Sequence, residues 1–510
     1  MTVKGYAKYL LVMAGLGGLI YGIDVGVIAA ALPYIRNTSN YSGLQLGFIV
    51  GAVLWGSVLS SLFAGSLAEW LGRKKIIIAS AFCFFISIPV ICASGLSAGG
   101  NFWLLTVGRT LQGASAGLVG VVVPMYLAEC LDSDSRGKGT GMFQLLLTIG
   151  LAFAAVIGLV VTGLVGDSDK VVKAAADANG VEAAKVTLAN IRAWVKPEQM
   201  HSWVVAWQTI FLCSAVPGLI LFLGAFGLKE SPRWLYKKGR REEALASLTA
   251  NNGPEKAQLI LNEMIAADEA AVAERQAIAA AAKGDTLFQR KYIYPFLLAV
   301  TILACNQTTG INSVLNYTVD IFKETGMTGV FANFSDLAIK LVNVFMTIVA
   351  CAFVDRKGRK FLLKLGTSGI IIGLCGVATV FLAIKSGMVQ ASMATGVVAT
   401  AFFFMFIAFY AVGPGVCVWL ALSELMPTRI RATGMSIAMI INQGVSATIA
   451  TIFPAWVGSW GYAPVFFCLA GFTVIYFLTA AFPLPETKGR TLEEIEKYFT
   501  TGKMPAKGRE

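Results

Sequence analysis

The stretches Glu129-Cys130-Leu131-Asp132-Ser133-Asp134-Ser135-Arg136 and Glu424-Leu425-Met426-Pro427-Thr428-Arg429-Ile430-Arg431 decide the architecture, because each follows an apolar run and each sets Glu seven residues before Arg. Two further pairs keep the same order along the chain. Gly72-Arg73-Lys74-Lys75 is matched by Asp355-Arg356-Lys357-Gly358-Arg359-Lys360, and Glu230-Ser231-Pro232-Arg233 by Pro485-Glu486-Thr487-Lys488-Gly489-Arg490. Three pairs in one order read as a parallel repeat of two membrane-spanning halves.

Between these motifs the chain is apolar. Of its 510 residues 56% are hydrophobic and 14% charged, with a mean hydropathy of +0.70, whereas a soluble domain is about 25% charged. A soluble enzyme and a disordered chain are both excluded. Apolar runs lie near 10–35, 44–68, 76–98, 102–128, 139–165, 206–228, 292–313, 330–354, 361–384, 394–422, 433–457 and 463–484; a spanning helix needs about 20 such residues. The expectation is an all-α membrane protein with twelve transmembrane helices in two six-helix halves. The first run is too long for a signal-peptide core and has no clear cleavage site. The domains are then an N-terminal bundle over 1–229, with a long extracellular loop at about 166–202, a cytoplasmic helical linker over 230–291, a C-terminal bundle over 292–485 and a cytoplasmic tail over 486–510. The linker is rich in Ala, Glu, Lys and Leu, which favours helices.

The net charge is +12, from 41 Lys+Arg against 29 Asp+Glu. Its basic residues gather in short runs between apolar segments (Arg73 to Lys75, Lys237 to Arg241, Arg356 to Lys360), as the positive-inside rule writes cytoplasmic loops. Both termini are therefore expected in the cytoplasm, and no nucleic-acid partner is expected. Nine cysteines without ligand spacing and a single histidine, His201, signal no disulfide framework or metal site. Any proton chemistry must use carboxylates. No G-x-x-x-x-G-K-[ST] occurs, against an ATP-driven pump. Of two G-x-S-x-G matches, at Gly95 to Gly99 and Gly113 to Gly117, neither follows a strand as a nucleophile elbow must; the second reads as small residues for close helix packing.

The loop motifs put Arg73, Arg136, Arg359 and Arg431 near Glu129, Glu230, Glu424 and Glu486 at the cytoplasmic ends of helices. Arg–carboxylate pairs are strong where partly shielded from water, so these eight residues are expected to form an inner gate; the alternative is that they only fix topology. Asp24 is an ionisable residue well inside the first span, which by default is a functional candidate. Its expected partner is Arg109 in the fourth span. Burial raises a carboxylate's pKa and a nearby arginine lowers it, so a motion that separates the two favours protonation. A static ion pair is the alternative.

These residues resemble the sugar porters of the major facilitator superfamily. The resemblance spans nearly the whole chain, through Gly-Arg-Lys after spans two and eight, Pro124-Met125-Tyr126-Leu127-Ala128-Glu129, Arg136-Gly137-Lys138, Glu230-Ser231-Pro232-Arg233-Trp234-Leu235 and the Pro485 to Arg490 motif. It implies the major facilitator fold, alternating access around a central sugar site, no cofactor, and a protein working in the plasma or inner membrane as a monomer with sugar, protons and the lipid bilayer as its partners. The proton symporters of the family resemble this chain in carrying Asp at the place of Asp24. Family spacing further implies that Gln144, Asn306, Gln307, Asn312, Asn343, Trp419 and Asn442 bind the sugar, whose hydroxyls need groups that both donate and accept and whose ring needs an aromatic face. A lone intramembrane amide is otherwise helix-to-helix glue. Asn306 stands where the family usually has Gln, and Asn316 where an aromatic residue often follows Gly-Ile-Asn, so hexose, pentose and cyclic polyol stay open. The expected function is proton-coupled monosaccharide symport; the alternatives are a facilitative sugar or polyol uniporter and a nontransporting sugar sensor. Lys340 in the eighth span is expected to snorkel to the outer interface, or else to face the cavity.

Overall fold

A computed structural model describes residues 3–97, 99–130, 133–182, 186–266, 289–427, 430–487, 494–495 and 498–499. In hydrocarbon, backbone N–H and C=O groups find no water, so a spanning segment must satisfy them within itself. Among the described residues, eleven helices are accordingly long and apolar enough to cross a membrane. They begin with Val3–Thr38, Gly43–Leu71, Arg73–Ser94, Phe102–Cys130, Ser133–Val165 and Pro197–Ala225. In the second half they are Gly329–Lys357, Arg359–Lys385, Met393–Val412 continued by Pro414–Leu425, Arg431–Trp460 and Tyr462–Ala481.

The seventh crossing is divided, which corrects the expected run over 292–313. Its pieces are Arg290–Thr308 and Ile311–Glu324, joined where Gly310 takes φ +79°. An L-residue other than glycine disfavours that left-handed conformation. The second piece carries Asn316, Thr318 and Asp320, and these polar side chains are buried in protein. Its polarity hid it from a search for apolar runs.

The repeat is visible in the packing. Span one lies on spans five and six, two on four, and three on four and six; span seven lies on eleven and twelve, eight on ten, and nine on ten and twelve. The halves meet where span two packs against eleven and five against eight. Gly113 and Gly117 are the points at which spans two and four approach: a methyl group on either would collide with the backbone oxygen of Val53 or Ser57. The second G-x-S-x-G match is thus a packing element.

Between spans six and seven the described linker is helical over Pro232–Lys237, Arg241–Asn252 and residues 254–266; residues 267–288 lie outside the description. The segment after span five folds into helices Ser168–Ala178 and Leu188–Trp194 and leads to span six at Pro197. We call its side of the bundle the excursion end, and the opposite side, where the repeated motifs lie, the motif end.

At the motif end, Gly72 (φ +99°, ψ 157°) and Gly358 (φ +88°, ψ 155°) turn the chain between spans two and three and between eight and nine. A methyl group on Gly72 would collide with Glu230, and one on Gly358 with Glu486. That region of backbone space is essentially glycine-only, at a cost of about 1–3 kcal/mol for other residues. Gly72→Ala and Gly358→Ala should therefore each destabilise the detergent-solubilised protein by at least this much. Gly471→Ala, whose new methyl would meet nothing within 4 Å, should leave the thermal midpoint unchanged in the same unfolding assay.

Candidate functional site

The break at Gly310 gathers amides. Gln307 ends the first piece of span seven and Asn312 begins the second, so both reach the space beside span eleven. Gln307 Nε2 donates to Asn442 Oδ1 at 3.2 Å, and Asn312 Nδ2 donates to Gln307 Oε1 at 3.0 Å and to Ser446 Oγ at 2.7 Å. Ser446 lies one helical turn beyond Asn442, a signal the i to i+4 period of span eleven already carries. Asn442 Nδ2 and Asn306 Oδ1 are buried and have no hydrogen-bond partner among the described residues. The cluster can therefore both donate to and accept from a hydroxylated ligand.

Among the described residues, no hydrogen bond ties the side chains of Gln144 or Asn343 to this cluster. Gln144 is exposed on span five, in the opposite half, and Asn343 is half-buried on span eight. Trp419 sits in the helix Pro414–Leu425, but its side chain lies outside the description. A surface cavity of about 620 Å³ under the excursion, lined by Tyr41, Gln45, Phe102 and Arg192 among others, shares no residue with the amide cluster.

Asp24 and Arg109 meet in the N-terminal half, 0% and 1% exposed. Their contact is loose: Arg109 Nη1 stands 3.9 Å from Asp24 Oδ1. The same nitrogen donates instead to the main-chain oxygen of Asp24 at 3.2 Å and to Gln112 Oε1 at 2.8 Å. The guanidinium lies 5.6 Å from the centre of the Phe211 ring, a distance suited to a cation–π contact. Neither carboxyl oxygen of Asp24 has a hydrogen-bond partner among the described residues. Gln112, three residues after Arg109 on one helix face, was the unrecognised third member.

At the motif end the two halves repeat one geometry. Arg73 Nε and Nη2 make a two-pronged contact with Glu129 at 2.9 and 2.8 Å, and Arg359 Nη2 lies 3.0 Å from Glu424 Oε1. Ser231 Oγ donates to Glu129 at 2.5 Å and Thr487 Oγ1 to Glu424 at 2.5 Å. Glu230 departs from the expected arginine pairing. Its Oε1 accepts the backbone N–H of Arg73 at 2.8 Å and of Lys74 at 3.1 Å, capping span three, and Glu486 Oε1 likewise accepts the N–H of Arg359 at 3.1 Å. A helix N-terminus has unsatisfied donors and a positive dipole end, which explains the preference. The side chains of Arg136 and Arg431 lie outside the description. Of the described pairs here, Arg73–Glu129 and Arg359–Glu424 each join parts of one half.

At the excursion end, charges join the halves to each other. Lys323 Nζ, on the second piece of span seven, contacts Asp167 Oδ1 at 2.7 Å and Asp169 Oδ2 at 2.8 Å. Arg36, at the end of span one, contacts Asp320 at 3.3 Å and Asp169 at 3.0 Å. Asp167 Oδ2 also accepts the Gly329 N–H at 2.7 Å, at the start of span eight. Burial pushes the Asp169 carboxyl up, but Arg36 and then Lys323 outweigh it and hold the group well below the usual carboxylate range. It stays ionised through mildly acidic conditions.

Lys340 does not snorkel. It is 1% exposed and its Nζ stands 2.7 Å from Asp336 Oδ2, one turn earlier on span eight. A counter-charge on the same helix face removes the need to reach water.

A family profile described as "Sugar (and other) transporter" matches residues 10–499. The chain is 27% identical to "D-xylose transporter" of Levilactobacillus brevis, over 96% of this chain and 94% of that one. It is 27% identical to "Major myo-inositol transporter IolT" of Bacillus subtilis (strain 168), over 97% and 94%. Among solved structures, the inward-open conformation of the xylose transporter XylE from E. coli superposes with a TM-score of 0.75 at 23% identity, covering 96% of this chain and 99% of that one. With the repeated motifs, the divided seventh span and this match across the chain, the protein belongs to the sugar transporter family of the major facilitator superfamily and is an integral membrane transporter, not an enzyme.

Proposed function

We propose that this transporter is a proton-coupled monosaccharide symporter working by alternating access. Asp24 carries the proton beside Arg109, and the amides around Gly310 hold the sugar. The motif end faces the cytoplasm, with both termini there, and a single chain in the plasma or inner membrane is the working unit. The observation that carries the coupling is the Asp24 carboxyl, 0% exposed and without a hydrogen bond among the described residues. A buried carboxylate is expensive unless paired and hydrogen-bonded. Arg109 gives only the 3.9 Å contact, its Nη1 being engaged by Gln112 and the main chain of Asp24. Protonation removes the charge without breaking a hydrogen bond.

For the sugar, Gln307, Asn312, Asn442 and Ser446 already exchange hydrogen bonds, and Asn442 keeps a free amide N–H. A ligand hydroxyl can enter such a cluster by replacing one internal bond and satisfying the free donor. Asn306, Asn343 and Trp419 of the same half complete the proposed site, together with Gln144 of the other half as the halves move. Lys340, paired within its helix, stays outside it. The relative named for myo-inositol transport keeps a cyclic polyol as the second substrate class, since an inositol ring presents the same hydroxyl chemistry.

One elementary charge moving through 100 mV gains about 2.3 kcal/mol, and about 1.4 kcal/mol is tenfold. One proton per sugar thus sustains roughly a forty-fold gradient from the potential alone.

The reading is tested with labelled xylose, glucose and inositol in proteoliposomes. Wild-type protein should accumulate one of them above equilibrium under an inward proton gradient, and an uncoupler should collapse the accumulation; uptake that only equilibrates would make the protein a facilitator. Asp24→Asn should abolish accumulation yet retain sugar exchange, because it mimics the protonated form. Accumulation by this variant would remove Asp24 from the coupling. Asn442→Ala removes a donor and an acceptor from the cluster and should weaken binding of the transported sugar by about 1–3 kcal/mol, read by calorimetry. Unchanged affinity would place the sugar elsewhere.

A further inference from the structure

The second piece of span seven, Ile311–Glu324, is a separate lever. Gly310 interrupts the helix, and the piece carries Asn312 of the amide cluster near its start and Asp320 and Lys323 near its far end. Those two charges are its anchor to the other half. The N-terminal half is built to receive them. Tyr34 donates to the Gly166 oxygen at 2.7 Å, while Asn37 Nδ2 donates to Asp169 Oδ1 at 2.6 Å and to Ser168 Oγ at 3.0 Å. The turn bearing Asp167 and Asp169 is therefore fixed before Lys323 arrives.

The contacts differ in worth. Arg36 is 42% exposed along its side chain, so salt and water screen it, whereas Lys323 and Asp167 are 12% and 10% exposed. Among the described residues Lys323 is also the single cation touching both Asp167 and Asp169, and Asp167 in turn accepts the Gly329 N–H. The lysine thus ties the lever, the start of span eight and the turn after span five into one knot. Three carboxylates, from Asp167, Asp169 and Asp320, share two cations here. Without Lys323, Arg36 is the one cation among the described residues left in contact with these carboxylates, Lys173 acting only at longer range through Glu324, and the carboxylates repel across the boundary between the halves.

We propose that Lys323, clasped by Asp167 and Asp169, is a latch that positions the outer piece of span seven and sets how often the transporter opens at its excursion end. It is a positioning residue, acting on the sugar site through Asn312. The inference rests on the alternating-access reading, but its test needs neither the sugar nor the proton.

Spin labels on cysteines replacing Asn179, after the helix Ser168–Ala178, and Met388, between spans nine and ten, report the separation of the halves at this end by electron–electron distance measurement. Both positions are exposed. The full chain in proteoliposomes, with its native cysteines replaced, should show one dominant short distance. Lys323→Met should raise the ratio of long to short distances about tenfold, within the range of conformational coupling energies, while Lys323→Arg should keep the parent distribution. Asp167→Asn, which leaves Lys323 with Asp169, should shift it in the same direction by less. An unchanged distribution in Lys323→Met, or an equal shift in Lys323→Arg, would overturn the latch. Should Lys323→Met not fold, Asp167→Asn decides, and no shift there rejects the proposal. A latch that fails this test leaves the uptake result standing, and failed accumulation with the expected distance shifts rejects the coupling alone.

Discussion

Hydrocarbon gives a backbone no hydrogen-bond partner, and this constraint determines where an irregular feature can exist in this protein. Helices satisfy the rule along their length, so any break has to be enclosed by protein or to line a water-filled cavity. The break at Gly310 meets the condition because Leu469 of span twelve covers the glycine and the amides of Gln307, Asn312 and Asn442 bond to one another around it. The polar residues beyond the break, Asn316, Thr318 and Asp320, are buried for the same reason. The proposed sugar site therefore sits where the chain has the least helical continuity and the most polar side chains. One glycine supplies the bend and the surrounding amides fill the polar gap it leaves.

The two ends of the bundle use charge differently. At the motif end the described pairs, Arg73 with Glu129 and Arg359 with Glu424, hold each half to itself, and Glu230 and Glu486 cap the helices that follow Gly72 and Gly358. At the excursion end Lys323 and Arg36 bridge the halves. Ion pairs inside a rigid unit survive a rigid-body motion, while pairs across its boundary have to break. Among the described residues, the ion pairs that cross between the halves are those at the excursion end.

The sequence was legible where spacing repeats and opaque where contacts are long-range. The motif pairs announced themselves because the same residues recur in both halves, yet the repeat could not show that Glu230 would choose backbone N–H groups over arginine side chains. Gln307, Asn312 and Asn442 are readable from family spacing, while Ser446 shares a face with Asn442 but belongs to no motif. A lone lysine near a helix end normally reaches water, and Lys340 departs from this because Asp336 on its own helix is its partner. The excursion-end cluster left no trace. Its members at 36, 167, 169, 320 and 323 come from three separate segments, repeat nothing, and meet only because the seventh span is longer than its apolar core.

The proposed proton site and the amide cluster around Gly310 ride on different halves, with Gln144 the one proposed sugar residue on the proton's own half, and that separation constrains how they can communicate. Asp24, Arg109, Gln112 and Phe211 all belong to the N-terminal bundle, and the close approach of Gly18 and Gly22 to span five fixes the first span within it. Gln307, Asn312, Asn442 and Ser446 all belong to the C-terminal bundle. A change of charge at Asp24 can reach the amides only through a surface that the halves share. Span one, which carries Asp24, packs directly on Ile311–Glu324. Tyr317 on that piece is pinned, donating to the Ala450 oxygen at 3.0 Å and stacking on Phe453 of span eleven. The same short helix thus holds Asn312 against the sugar amides, packs on span one and carries Lys323 into the charged cluster. Coupling between two sites requires an element whose position both of them bias, and Ile311–Glu324 both carries Asn312 and packs on the span that holds Asp24.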